Sequence, residues 1–391
     1  MQIIWAQKEF PKKITKSIFL AGPTPREKNV KSWRIEAIKC LEDNDYDGTV
    51  FIPEFEDGIQ DDTKLDYSGQ IEWEQRAMNM ADIILFYLPR KMKDMPGLTS
   101  NDEWGYWKTS RKVILAFPEN AEKVRYQEYF AKQLNIPILD SLEHALAICI
   151  DKLGDGAVRI DGETYIPLHV WNHPAFKNWY QNLQNAGNRL EEAKVEYTKY
   201  VGPKNDFLFF IVLWAKVWIE LEKRYKENEV AIMRSDISSC LLYKLDKNDI
   251  LNSDIVMVKE FRTPVNNFSG YVWELAGGSS FKDKQDPKQI IVDELKEETG
   301  VFIESDRIKQ LEARQLQATS LTHKSYLFSC ELSDKELEDI KEKQGKIFGN
   351  AEDTEMTYVE VVKLSSILKT DLVDWSNIGM IFSAIYQNLQ K

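Results

Sequence analysis

Residues 81–88 read A-D-I-I-L-F-Y-L, a run almost without polar interruption. A strand that is apolar on both faces belongs in a sheet covered on both sides, the arrangement of parallel α/β domains. Upstream, S-I-F-L-A at 17–21 ends in Gly22-Pro23, which fits a buried strand feeding a turn. Residues 49–53 predict another strand, and the helical spacing at 33–41 and 71–80 predicts helices between the three. Downstream come a helix near 102–109, a strand at 112–117, a short apolar run at 136–139 and a helix at 141–153. This alternation predicts a doubly wound, flavodoxin- or Rossmann-like parallel-sheet domain over residues 1–152. Ligands of such sheets lie beyond the carboxyl ends of the strands, here near Gly22, Pro53, Pro89 and Pro118.

Composition narrows the function classes. A net charge of -12 argues against broad binding to a nucleic-acid backbone, which needs a positive stripe to displace counterions. Cys40, Cys149, Cys240 and Cys330 lie far apart with no C-x-x-C pair, so they read as reduced core thiols. The N-terminus carries no apolar core followed by a small-residue cleavage site, and no run has the length of a membrane span. A cytoplasmic protein without a membrane partner is expected.

Residues 153–228 read as a linker and helical connector. Two long helices are expected at 176–199 and 207–226, separated by V-G-P-K-N-D at 201–206. The second is apolar nearly all round, which suggests a homodimer or interdomain contact. From residue 229 onward strands dominate, at 230–233, 240–245, 255–261, 271–275, 314–319, 326–331 and 357–362, before a C-terminal helix. An α/β domain, a helical connector and a third region with mixed strands and helices over 229–391 is the expected order.

The third region contains E-L-A-G-G at 274–278 and E-L-K-E-E-T-G-V at 294–301. Glu294, Glu297 and Glu298 stand at i, i+3 and i+4 and share one face of a helix. Such a face is either a solvated acidic surface or a site for a hard divalent cation. The combined motif, with V-M-V-K-E-F-R-T-P at 256–264, resembles the Nudix box of the ADP-ribose and nucleotide-sugar pyrophosphatase branch. That resemblance implies an α/β/α sandwich with a mixed sheet and hydrolysis of a nucleoside diphosphate derivative. It implies Mg²⁺ or Mn²⁺ held by Glu294, Glu297 and Glu298, with Glu298 also catalytic, and a general base at Glu355, which equally suits an exposed loop carboxylate. It also places Arg262 and Glu274 at the ligand, though either residue equally suits a strand-end ion pair. Asp293 stands where the family pattern has arginine, and the glycine-to-helix interval is one residue longer than the pattern. A nucleotide-binding sensor or regulator with a degenerate Nudix site is therefore the alternative.

Near the N-terminus, F-L-A-G-P at 19–23, Trp33-Arg34, Trp73-Glu74, residues 81–86 and G-L-T-S-N-D-E-W-G at 97–105 together resemble the nucleoside 2-deoxyribosyltransferase-like family. The resemblance implies cleavage or transfer at an N-glycosidic bond of a nucleoside or nucleotide. A carboxylate below the sugar stabilises or attacks the anomeric carbon as positive charge develops there. By resemblance Glu103 is that nucleophile, while Asp82 and Asp94 protonate the departing base or position the sugar. Gly22, Pro23, Trp33 and Glu74 are the corresponding substrate-binding candidates. Asp82 equally suits a strand end, Glu74 an ion pair with Arg34 or Arg76, and Trp33, Trp73 and Trp104 the core. His169 and His173 lack a third ligand nearby and Pro174 breaks any helix through them, so both read as structural, with Asn172 or His173 starting the following helix. His144 is expected to pack within a helix, and His323 lies in a loop before a strand. Taken together, the two resemblances imply a bifunctional nucleotide-processing enzyme whose partners are small nucleosides and nucleotides.

Overall fold

The computed structural model describes residues 1–26, 29–56, 66–279, 285–348 and 356–390. The chain divides into two compact units. One comprises Met1–Lys199 and Phe210–Val230, the other Tyr200–Phe209 and Ala231–Lys391.

The first unit is built on six strands, β1 (Gln2–Trp5), β2 (Ser17–Ala21), β3 (Thr49–Ile52), β4 (Ile83–Tyr87), β5 (Val113–Ala116) and β6 (Ile138–Leu139). They form one sheet in the order β1-β3-β2-β4-β5-β6, with every pairing parallel. Helices α1 (Arg34–Asp43), α2 (Tyr67–Met80), α3 (Thr99–Trp107), α4 (Arg125–Gln133) and α5 (Leu142–Leu153) alternate with the strands. Period-2 alternation distributes the core. Ile18, Leu20, Ile83 and Leu85 pack with Ala37 and Leu41 of α1 and with Ala145 and Cys149 of α5. Phe51 and Phe86 point the other way, edge-on to Trp73 of α2 and Trp104 of α3. Each such buried side chain contributes about 1.5–3 kcal/mol. The order reverses at β2, which has β3 on one side and β4 on the other, and a crevice opens at such a switch point.

Asp66 caps α2 by accepting from the Gly69 N–H, and the Ser141 hydroxyl caps α5. His173 caps helix α6 (Pro174–Asn185) by accepting from the Ala175 N–H through Nδ1 at 3.2 Å, with Pro174 in the first turn. His169 is half-buried, and desolvation of its ring with the nearby Lys112 pushes its pKa down to about 3. His144 is exposed on α5 rather than packed, because its position falls on the outer face of the first turn.

The two long connector helices are corrected by the structure. Only α6 is helical. Gly187, at φ 76°, follows its end, and the chain continues as the strands β7 (Arg189–Val201), β8 (Phe207–Ile219) and β9 (Arg224–Lys226), with β8 pairing to both others. The reason lies in residue type. β8 is F-L-F-F-I-V-L-W-A-K-V-W-I, dominated by aromatic and β-branched residues that favour a pleated surface, and Ile211 and Leu213, two apart, are fully buried. An all-apolar run fits a strand as well as a buried helix, and propensity decides.

The second unit is a mixed sheet with helices on both faces. Strand β10 (Ile237–Lys244) pairs parallel to β14 (Lys324–Glu331) and antiparallel to β11 (Asp254–Phe261) and β13 (Ala276–Gly278). Strand β11 also pairs antiparallel to β12 (Tyr271–Glu274) and β15 (Thr357–Lys363). Cys240 and Leu242 face helices α7 (Pro287–Thr299) and α8 (Asp334–Lys341), whereas Leu241 and Tyr243 face helix α9 (Trp375–Leu389). The α/β/α layering expected for this region is therefore present. All four cysteines are free thiols, three of them buried and Cys40 half-buried. Among the described residues no helix is long and apolar enough to cross a membrane.

Candidate functional site

The crevice of the first unit begins at Gly22, immediately after β2. Its φ of 147° and its contacts exclude any side chain, since a Cβ there would lie 2.1 Å from the Tyr87 carbonyl oxygen. The turn is held from below by Arg34, fully buried at the start of α1. Its Nε donates to the Leu20 carbonyl at 3.0 Å and Nη2 to the Gly22 carbonyl at 2.8 Å. Nη1 donates to Glu54 Oε1 at 2.5 Å, which compensates the buried charge. Trp33 adds a bond from Nε1 to the Pro23 carbonyl at 3.0 Å and packs edge-on to Tyr87. Arg34 and Glu54 were not among the sequence candidates. The Trp33-Arg34 pair was visible as a motif, but only the fold aims the guanidinium at the turn.

Two carboxylates approach this floor. Glu74 on α2 accepts from Gln70 Nε2 at 2.9 Å, and burial raises its pKa against the lowering effects of that bond and of Arg34. Glu103 on α3 is pushed up to about 8 by burial first and the Glu74 carboxylate second, with Arg34 opposing. The fold thus brings Gly22, Pro23, Trp33, Glu74 and Glu103 together, and the mutual influence of Glu74, Glu103 and Arg34 marks a coupled group of charges. The loop before α3 closes over the turn: a Cβ on Gly97 would meet Pro23 Cβ at 3.0 Å. Asp94 lies on that loop, half-buried, its carbonyl accepting from the Arg26 N–H at 3.1 Å.

Asp82 is elsewhere. It precedes β4, at the opposite end of the strand from the crevice. Its carboxylate accepts from both terminal nitrogens of Arg159, at 2.6 and 2.7 Å, from the Leu168 N–H at 2.8 Å and from the Ser17 hydroxyl at 3.0 Å. Those donors saturate its oxygens and fix it as a strand-end anchor, away from Glu103.

Residues 15–121 match the family model described as nucleoside 2-deoxyribosyltransferase like. The first unit carries a domain of that kind. The match takes in β2, the Gly22-Pro23 turn and Glu103, and it stops well before the stretch at 274–301. A comparison with curated proteins returned no match.

In the second unit, Asp286 and Pro287 start α7 and Gly300, left-handed at φ 64°, ends it. Glu298 Oε2 accepts from the Gly277 N–H at 2.9 Å, and a Cβ on Gly278 would lie 2.0 Å from Glu294 Oε1. Both carboxylates therefore meet Gly277 and Gly278 of strand β13, whereas Glu297 and Asp293 are exposed, and Asp293 accepts from Gln289 at 3.0 Å. Oxygen donors of this kind suit a hard divalent cation. Among the described residues, no three His, Cys, Asp or Glu side chains gather as a metal site. Glu355 lies outside the described residues. Arg262 joins Glu274 at 3.0 Å and Glu260 at 2.8 Å. Arg234, which sequence reasoning missed, donates to the Ser279 hydroxyl at 3.0 Å just beyond β13. His323 is buried, and burial with Arg234 lowers its pKa.

Proposed function

We propose that the first unit cleaves or transfers at the N-glycosidic bond of a nucleoside or nucleotide, with Glu103 as nucleophile. The observation that supports this reading is that Glu74 and Arg34 both bear on the charge of the Glu103 carboxyl while Arg34 also donates to the Gly22 carbonyl, within a stretch that matches a nucleoside 2-deoxyribosyltransferase-like family. The Glu103 carboxylate attacks the anomeric carbon as the bond to the base breaks, and the base leaves with the electron pair. Asp94, on the loop over the turn, is assigned the proton delivered to the base. Water or an acceptor base then resolves the glycosyl ester and frees the carboxylate. Incubation with deoxynucleosides, deoxynucleoside monophosphates and NAD, followed by chromatography for free base, tests it. Equal release by wild type and Glu103→Ala refutes the nucleophile assignment.

A second reading concerns the second unit, for which the approach of Glu294 and Glu298 to Gly277 and Gly278 of β13 is the supporting observation. We assign these two carboxylates, with Glu297 one turn away, to Mg²⁺ or Mn²⁺, which would polarise a nucleoside diphosphate derivative such as ADP-ribose for hydrolysis. Arg234, at the end of β13, supplies positive charge toward a diphosphate. Metal-dependent release of a nucleoside monophosphate, lost in Glu298→Gln, supports the hydrolase. Binding of ADP-ribose with no product over hours supports the regulatory alternative.

A further inference from the structure

A concavity of about 350 Å³ lies between α3 and α4, and it is distinct from the Glu103 crevice. Glu103 is not among the residues that line it; Trp104 and Lys108 of the same segment are, together with Arg90, Lys123, Gln127 and Phe130. Arg90, Trp104 and Gln127 are each at least nine-tenths buried. Arg90 donates through Nη1 to the Lys123 carbonyl at 3.0 Å and through Nη2 to Asn101 Oδ1 at 2.8 Å. Among the described residues, however, Arg90 Nε, Trp104 Nε1 and Gln127 Oε1 have no hydrogen-bond partner. Leaving such atoms unpaired is costly, and all three belong to residues that line the same cavity.

The charge around the cavity indicates what that is. In a chain of net charge -12, this lining holds Arg90, Lys108 and Lys123 and no aspartate or glutamate. Arg90 also makes no ion pair among the described residues, whereas the buried Arg34 and Arg159 each have a carboxylate. A buried guanidinium without a counter-charge is a strong acceptor site for an anion. The remaining lining is apolar and aromatic, and the volume is that of a small-molecule pocket.

We propose that this cavity binds a small organic anion, a phosphate or carboxylate headgroup on an aromatic or apolar body. The headgroup meets Arg90, with Lys108 and Lys123 at the rim, and the body packs against Trp104 and Phe130.

Isothermal titration calorimetry of the full chain with phenyl phosphate, benzoate and orthophosphate tests the proposal. Saturable binding of phenyl phosphate or benzoate is expected, with the stronger of the two identifying the headgroup and orthophosphate at least tenfold weaker than phenyl phosphate. The Lys108→Glu, Lys123→Glu double variant changes only rim side chains and should weaken binding at least tenfold while circular dichroism stays unchanged. Glu103→Gln should leave binding unaltered. No binding by either organic anion overturns the proposal. So does binding that survives the double variant, or that disappears in Glu103→Gln, which would locate the probe in the other crevice.

Discussion

The Arg159 guanidinium grips the Asp82 carboxylate through two nitrogens, at 2.6 and 2.7 Å, with neither side chain open to solvent. Arg159 also donates to the carbonyls of Ile166 and Thr15, so the pair ties the start of β4 to the segment that follows α5. Breaking one side of a buried pair leaves a charge uncompensated. Asp82→Asn should therefore cost about 3–5 kcal/mol in denaturant unfolding. Base release per folded molecule should stay within a few-fold of wild type. A large loss of turnover without a loss of stability would return Asp82 to the catalytic machinery.

Glu103 makes an opposite prediction. Its pKa stands near 8 against an ordinary 4.5, so the native state holds the proton more tightly than the unfolded chain. The stability linked to it is complete below about pH 4.5 and is lost as pH rises through 8. Glu103→Gln should thus unfold at higher denaturant than wild type at pH 9, by roughly 1–3 kcal/mol after solvent screening, and match it near pH 4. In the same variant, base release should fall by at least about 10²-fold. The proposed mechanism uses the ionised carboxylate as nucleophile, so wild-type kcat/KM should climb with pH toward 8.

Gly22 has no room for a methyl group, with the Tyr87 carbonyl 2.1 Å from where it would stand. Gly22→Ala should lose about 1–3 kcal/mol of stability and most base release, because the turn must move away from β4. Full activity in a stable Gly22→Ala protein would show that the turn does not touch substrate.

A chelator separates the two units functionally. Removal of divalent metal should abolish ADP-ribose hydrolysis and leave base release intact, and Glu298→Gln should reduce hydrolysis at least about tenfold. Loss of base release on chelation would contradict the assignment of metal to α7.

The parallel sheet was readable because its strands are uninterrupted apolar runs bounded by Gly and Pro, as at 17–23 and 81–88. The helix at 287–299 was readable from its glutamate spacing and from Gly300. The ribbon of β7 and β8 was not, since a run such as F-L-F-F-I-V-L-W carries no period that separates helix from strand. At the site, Gly22 and Glu103 stood out by motif, and the place of Asp82 at the amino end of the run 81–88 was legible, but what holds it there was not. Its partner Arg159 is 77 residues away, a pairing that no local pattern contains. Arg34 and Arg90 were equally opaque, because a buried arginine looks like a surface one until the fold encloses it.

Helix α3 has only nine residues and no side-chain cap at its N-terminus. A rod of that length is marginal by itself and is held by what packs along its sides. Glu103 projects from it toward the crevice, while Trp104 lines the cavity toward α4. Neighbouring residues of one short, uncapped rod thus serve two different surroundings, so α3 is shared structural ground for both.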